Sequence, residues 1–370
     1  MRTMHAQAPG AALDCDLPAE LAAREPPEAR GLRRDEVRLM VSHLGDDRVE
    51  HGRFDELPRF LRPGDLLVVN RSATIEASLP ARRVSDGAAL RLHLSTRDEH
   101  GRWTVELRRL CAGVVPPADG PHEPLFDAQP GTAVTLPANF TATLERPVSQ
   151  RPDGGVRLWH ARFSPALQGE ALLRYLARHG APIRYSYVRR AWPLTYYRTL
   201  FADSPGSAEM PSASRPFSAT VLDGIARRGV EIARVLLHTG VSSFEQGERP
   251  QPEYFEVPAG AARAVQRARD EGRRVIAIGT TAVRAIESAV GDDGRLRAAS
   301  GMTELIVTPE RGLRAVDGLV TGLHEPRASH LDLLEAVAGR AHLAKAYAEA
   351  VERRYLWHEF GDTHLLLPPR

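Results

Sequence analysis

The stretch RRVIAIGTTAVRAIES, Arg273 to Ser288, carries a chemical signal in its spacing. Four apolar residues, Val275 to Ile278, run into Gly279-Thr280-Thr281, after which apolar residues recur at helical intervals. A buried strand turning straight into a helix presents the free N–H groups and positive dipole end of that helix to an anion. Gly279 lets the backbone approach closely, and the threonine hydroxyls add donors. The same spacing also describes an ordinary strand-to-helix turn in which Thr281 caps the helix. A second apolar run, in LLHTGVSSF, ends on His238-Thr239-Gly240. A histidine there suits a general base near neutral pH, or a hydrogen-bonded structural role. QPEYFEV sets Glu253 beside Tyr254 and Phe255, a carboxylate among aromatic faces that attracts a cation; an alternating edge strand gives the same pattern. Asp317 and His324 stand in VDGLVTGLHEP, a Gly-rich connection of the kind that carries functional loops and plain ones alike. No metal-ligand spacing, P-loop or G-x-S-x-G elbow occurs.

These residues need elements to position them. LRPGDLLVVN reads as a Pro-Gly turn feeding a buried strand from Asp65 to Asn70, VEIARVLLH as a second strand and RVIAIG as a third. Helices are expected over ATVLDGIARRG capped by Ser218, over AGAARAVQRARDEG closed by Gly272, over AVRAIESAV, and over a long amphipathic span from Ser329 to Arg353. TELIV, Thr303 to Val307, reads as a strand. Alternating strands and helices predict an α/β domain with a mostly parallel sheet or a barrel-like arrangement. From Leu79 to Phe163 short, partly alternating runs separated by Gly, Pro and Asp predict a small inserted β-barrel or sandwich. The expected organisation is therefore an α/β domain of residues 1–78 and 164–370 around a β-rich insertion of residues 79–163. The helix PALQGEALLRYLARHG follows the insertion and ends on Gly180, a plausible left-handed stop.

With 370 residues, the chain is long enough for two cores, and no apolar run approaches the ~18 residues of a membrane helix. Cys15 and Cys111 are too far apart in sequence to suggest a disulfide framework, and the first residues lack the apolar core of a secretory signal, so a reducing cytoplasm is expected. Lys345 is the single lysine among 49 basic residues, which reads as compositional bias toward arginine. The net charge of +2 points to no nucleic-acid partner by itself. RYSYVRRAWPLTYYR, Arg184 to Arg198, nonetheless interleaves four tyrosines and a tryptophan with arginines. Such a segment suits stacking and phosphate contact with single-stranded RNA, or a chain packing its aromatics onto the core.

Taken in order, DLPAELAA, RFDELPRFLRPGDLLVVN, EYFEVP, IAIGTTAVRAIES, VDGLVTGLHEP and YLWHEFGD resemble the S-adenosylmethionine:tRNA ribosyltransferase-isomerases of queuosine synthesis, across roughly the whole chain. The resemblance implies an α/β domain with a small inserted β-domain. It implies transfer and isomerisation of the ribosyl part of S-adenosylmethionine, a co-substrate, onto 7-aminomethyl-7-deazaguanine in tRNA, giving epoxyqueuosine, adenine and methionine, without a metal. On that resemblance Gly279, Thr280, Thr281 and Arg284 hold a negative group, and His238 and Glu253 are acid/base candidates, with His324 and Asp317 beside them. Tyr254 faces the sulfonium, and Asn70, Pro211 and Ser212 occupy matching substrate-binding positions. The chain departs from the family where N-D-T-R reads NRSA with Ala73, where P-T-A-G-L-H-F reads PSASRPF with Pro216, where H-x-E-Y begins with Gln251, and where T-N-F-H reads TGLH. The family's Pro-Pro-Tyr after the insertion has become RYSY. These departures leave two alternatives beside the tRNA reaction: a paralogue using S-adenosylmethionine on a small-molecule acceptor, and an inactive RNA-binding relative.

Overall fold

In the computed structural model, residues 17–98, 102–111, 122–148, 154–166, 168–241, 251–325 and 330–369 are described. Cys15, Ser242 to Phe244, Pro326 and Ser329 lie outside them. The chain builds a nine-stranded sheet whose order is Ala299–Thr303, Glu253–Val257, Glu231–Leu237, Leu66–Asn70, Val275–Ile278, Gly318–Gly322, Thr363–Leu367, Arg38–His43 and Arg48–Arg53. The middle four strands run parallel. Outside them the 38–43 and 363–367 strands pair parallel with each other, while the 253–257, 299–303, 363–367 and 48–53 strands each pair antiparallel to a neighbour, so the sheet is mixed and matches the mostly parallel expectation only in part.

The centre is parallel because its strands are apolar on both faces. Leu66, Val68, Val275 and Ala277 face one core with Val265, Val283 and Ile286 of helices Ala259–Asp270 and Thr280–Ser288. Leu67, Val69, Ile276 and Ile278 face the other with Val221 and Ile225 of helix Ala219–Arg227. Continuous apolar runs such as LLVV and VIAI are what two covered faces require.

The second sheet is built from Ser78–Arg83, Ala89–Arg97, Trp103–Leu110, His122–Pro124, Ala133–Leu136, Phe140–Pro147 and Leu158–Ser164. The 158–164 strand pairs with both the 140–147 and the 103–110 strands, so six of these strands form a closed ring of pairings, and the 122–124 strand hangs on its outside. Leu79, Leu92, Val105, Val134, Leu144 and Leu158 fill its core.

Local expectations meet the structure unevenly. Ser218 caps its helix by accepting from the Val221 N–H at 3.2 Å, and Gly272 closes the 259–270 helix at φ 67°. Gly180 instead is extended (φ −96°, ψ 179°); a side chain there would strike the Glu76 carbonyl, so close passage of two backbones explains the glycine. The strand expected over Thr303 to Val307 lies earlier, at Ala299–Thr303, and Glu304 to Val307 are irregular. The long C-terminal helix is two, His330–Ala338 and Arg340–Glu352, broken where Gly339 turns to φ 71°. No helix among the described residues is long and apolar enough to cross a membrane.

Candidate active site

Parallel strands bring their carboxyl ends to one edge, and here that edge collects Asn70, His238, Gly279 and Gly322. Asn70 is fully buried and ties the edge together. Its amide donates to the Leu237 carbonyl at 2.8 Å and the Thr281 hydroxyl at 3.2 Å, and its carbonyl accepts from Leu237 and Ser72 N–H groups, each at 3.0 Å. Gly279 takes φ 90° at the start of the 280–288 helix, with Ala213 packed close above it. Thr281 therefore does not cap the helix; its hydroxyl is engaged by Asn70. Among the described residues no group accepts from the Thr280 or Thr281 N–H, which leaves two orphan donors at the positive end of the helix.

One cleft opens over this turn, lined by Glu209, Thr239, Gly240, Glu253, Arg284 and His330 together with both threonines. Arg284 is held in it on three sides: its Nε donates to the Leu305 carbonyl at 3.0 Å, one terminal nitrogen bonds the Glu253 carboxylate, and the other reaches the Thr303 carbonyl at 3.4 Å. The second Glu253 oxygen accepts from the Gly240 N–H at 2.8 Å. Arg284, expected to hold a bound anion, is thus matched by Glu253. The positive potential left for a ligand comes from the helix terminus. The sequence gives no sign of His330, which stands at the start of the 330–338 helix six positions after His324, with no periodicity linking the two. Their rings stack in parallel planes 4.7 Å apart, and burial holds His330 near a pKa of about 4. His324 sits behind it, its Nε2 2.9 Å from the Thr321 hydroxyl.

Successive residues of a strand point to opposite faces, and this splits the expected site in two. Glu253 and Thr239 face the cleft just described. Tyr254 and His238 face a second cavity of about 200 Å³, walled by Trp103, Leu172, Pro205 and Arg97, between the ring of strands and the large sheet. The His238 and Tyr254 rings lie nearly parallel, 6.1 Å apart, and Tyr254 is 37% exposed. Burial, reinforced by Arg71, pushes His238 down to about 4, so it is neutral at pH 7.

Other expected residues fall elsewhere. Asp317 is at the opposite, amino-terminal end of the sheet, where its carboxylate accepts from the Val275 N–H at 2.8 Å and burial pushes its pKa up. It starts a strand pair and does not meet the other candidates. Pro211 and Ser212 form the turn above Gly279 and Gly322, and Ser212 approaches Gly322 closely. In the Arg184 to Arg198 segment Tyr185, Trp192 and Tyr197 are buried and Tyr187 stacks on His358 at 4.2 Å, so the aromatics pack inward while Arg189, Arg190 and Arg198 face out. Among the described residues no three His, Cys, Asp or Glu side chains gather as a metal site.

Residues 11–366 match the family model described as queuosine biosynthesis protein. The chain belongs to this family. It is 34% identical over 362 residues to the S-adenosylmethionine:tRNA ribosyltransferase-isomerase of Symbiobacterium thermophilum, covering 96% of this chain and 98% of the relative. Against the enzyme of the same name from Thermotoga maritima it is 33% identical over 361 residues, with the same coverage. The crystal structure of the S-adenosylmethionine tRNA ribosyltransferase from Thermotoga maritima superimposes with a TM-score of 0.52 at 30% identity, covering 96% of this chain and 99% of that one. Against this queuosine-family background the three lost side chains do not share a place. Gln251 lines the first cleft, accepting from the Ser95 hydroxyl at 3.4 Å. Pro216 is buried beside Phe217, and Ala73 sits in a short strand pairing with Pro205 and lines neither cavity.

Proposed function

We propose that the chain is an S-adenosylmethionine-dependent ribosyltransferase-isomerase that modifies tRNA in queuosine biosynthesis. It transfers the ribosyl group of S-adenosylmethionine to the amine of 7-aminomethyl-7-deazaguanine, with epoxyqueuosine, adenine and methionine as products. The observation that carries this reading is a match to relatives of that name over 96% of the chain. Its residues fit the co-substrate: two orphan N–H groups at a helix start suit a carboxylate, and the partly exposed Tyr254 ring suits a sulfonium.

In this reading the methionyl carboxylate meets Gly279, Thr280 and Thr281, with Arg284 and Glu253 fixing the cleft wall and the 211–212 turn closing it. The nucleoside end passes the His238–Gly240 edge toward Tyr254. The sulfonium acidifies the adjacent C5′ protons, and His238, Glu253, His324 and His330 are the acid/base groups at hand to take that proton or to assist the leaving adenine. Residues 1–78 and 164–370 act as the α/β catalytic domain, and residues 79–163 as an inserted β-barrel that forms the far wall through Trp103 and Arg97. Of the departures Ala73, Pro216 and Gln251, Gln251 alone lines either of these two cavities, which supports a tRNA acceptor over a small-molecule one. A cytoplasmic location accords with a tRNA substrate.

The test is adenine release by the purified protein from S-adenosylmethionine, with and without tRNA carrying the deazaguanine. Release and epoxyqueuosine formation that require the tRNA support the reading. Release without tRNA points to the small-molecule paralogue, and binding of tRNA with no release to an inactive relative.

A further inference from the structure

Behind His238 runs a buried chain of hydroxyls. The Ser72 Oγ lies 2.7 Å from His238 Nδ1 and 2.6 Å from the Ser207 Oγ, and the Ser207 Oγ accepts from the Thr239 N–H at 3.0 Å. Ser72 and Ser207 are both fully buried, so each hydroxyl hydrogen needs an acceptor within the chain. Two directions are possible. If His238 carried its proton on Nδ1 and donated it to Ser72, Ser72 would donate to Ser207. Ser207 would then accept twice, and its own hydrogen would find no acceptor among the described residues. If Ser207 donates to Ser72 and Ser72 to Nδ1, every hydrogen is used and the imidazole proton sits on Nε2. Gly206 is packed flat against the ring: a side chain there would lie 2.5 Å from the imidazole Cε1.

From this geometry we infer that Ser72 and Ser207 are positioning residues that hold His238 as an Nε2–H donor, and that the cavity it lines takes the adenine ring of S-adenosylmethionine, with one adenine ring nitrogen accepting that hydrogen bond. The inference rests on the proposed reaction for the identity of the base. The cavity, about 200 Å³, is lined by Tyr254, Trp103 and Leu172, whose apolar and aromatic faces suit a bicyclic aromatic ring. Adenine carries three unprotonated ring nitrogens besides the glycosidic one. The acceptor's 7-deazaguanine keeps O6 and N3 as acceptors but offers none at position 1 or 7, so an N–H donor that meets N1 or N7 favours adenine. When the C1′–N9 bond breaks, its electron pair leaves with the base, and the Nε2–H bond disperses that charge without itself requiring proton transfer. His238 then serves as a donor to the leaving group, and the base that removes the C5′ proton is another residue.

The tautomer can be read directly in protein labelled with ¹⁵N-histidine, since long-range ¹H–¹⁵N couplings identify the protonated ring nitrogen. Nε2 protonated in the wild type, changing to a mixture or to Nδ1 in Ser72→Ala, is the expected result. An unprotonated Nε2 in the wild type overturns the inference whatever the enzyme's activity. Free adenine should perturb the His238 resonance, and of 1-, 3- and 7-deazaadenine one should bind about tenfold more weakly than adenine, by loss of its accepting nitrogen. Perturbation by the deazaguanine base and not by adenine overturns the ligand assignment. In turnover, Ser72→Ala and Ser207→Ala should lower kcat for adenine release by about 10²-fold while KM for tRNA stays within twofold. A rise in KM alone, with kcat intact, would leave the two serines a structural role only and refute their assignment. Failure of the wild type to release adenine would instead remove the proposed reaction and leave the tautomer measurement standing.

Discussion

Arg284 and Glu253 form an ion pair across the first cleft, with side chains only 14% and 12% exposed. Each is further held by backbone, Arg284 by the Leu305 and Thr303 carbonyls and Glu253 by the Gly240 N–H. A pair so shielded is worth little net against two apolar groups, but removing one partner strands the other charge. Arg284→Met should lower stability by about 3 kcal/mol, read as a fall in the urea midpoint. The double variant Arg284→Met with Glu253→Gln should recover most of that loss and still bind S-adenosylmethionine poorly, because the cleft wall is no longer fixed. Full binding by the double variant would show that the pair is structural alone.

Gly279 supplies a second test of the cleft. At φ 90° an alanine is strained by about 1–3 kcal/mol, and its methyl group would press toward Ala213 and the Thr281 hydroxyl, where the ligand carboxylate is proposed to sit. Gly279→Ala is expected to destabilise the protein by that amount and to abolish calorimetric binding of S-adenosylmethionine. Gly260 on the exposed face of the 259–270 helix has nothing within 4 Å of a Cβ, so Gly260→Ala should stabilise by about 0.5–1 kcal/mol and leave binding unchanged.

Stability should peak near pH 7. Burial holds His238, His330 and His358 near a pKa of about 4 and His364 near about 3, all below the ordinary value of about 6.5. Between those values the unfolded chain binds more protons than the folded one, so stability rises with pH from about 4 to about 6.5. Glu359 works the other way: burial and the neighbouring Glu209 push it up to about 8, so the folded state holds its proton longer and stability falls as pH rises toward 8. Four histidines outweigh this carboxyl in the acid arm, and the carboxyl drives the decline from neutral pH toward 8. Urea midpoints across this range check it, and Glu359→Gln should flatten the alkaline decline while leaving the acid arm steep. An alkaline decline unchanged in that variant would contradict the assignment.

How far these groups were visible beforehand follows from what a sequence encodes. LLVVN, VIAIG and the Gly-Thr-Thr turn were legible because a strand covered on both faces and a helix start each leave a local pattern. The pairing of Arg284 with Glu253 was not, since it joins a helix to an antiparallel strand 31 positions away. The assignment of His238 and Glu253 to one site failed for a simpler reason: their neighbours Thr239 and Tyr254 face the other way, and period-2 alternation sends His238 and Glu253 to different cavities. Asp317 was misplaced because GLVTG, read as part of a Gly-rich connection, is itself the buried central strand Gly318–Gly322, which puts Asp317 at its start and His324 beyond its end. His330 left no mark, as the stacking of its ring on His324 follows no helix or strand period. The break at Gly339 could have been read from the glycine itself, inside an otherwise helical run.

The arginine-rich segment offers the acceptor charge rather than stacking. Its aromatics are spent on the core, Trp192 buried beneath Arg190 at 4.0 Å and Tyr187 against His358, so base stacking by this segment is not expected. Arg189 and Arg190 remain exposed and offer charge to phosphate. Contacts of that kind give affinity without sequence information, and each neutralised phosphate steepens the dependence of binding on salt by about one unit of slope. Arg189→Ala combined with Arg190→Ala should therefore raise KM for tRNA, reduce the log–log salt slope by about 1–2, and leave both S-adenosylmethionine affinity and kcat at saturating tRNA unchanged. A salt slope equal to that of the wild type would place the tRNA on another face of the protein. A loss confined to kcat would mean that this segment shapes the site through His358, onto which Tyr187 stacks, rather than holding the nucleic acid.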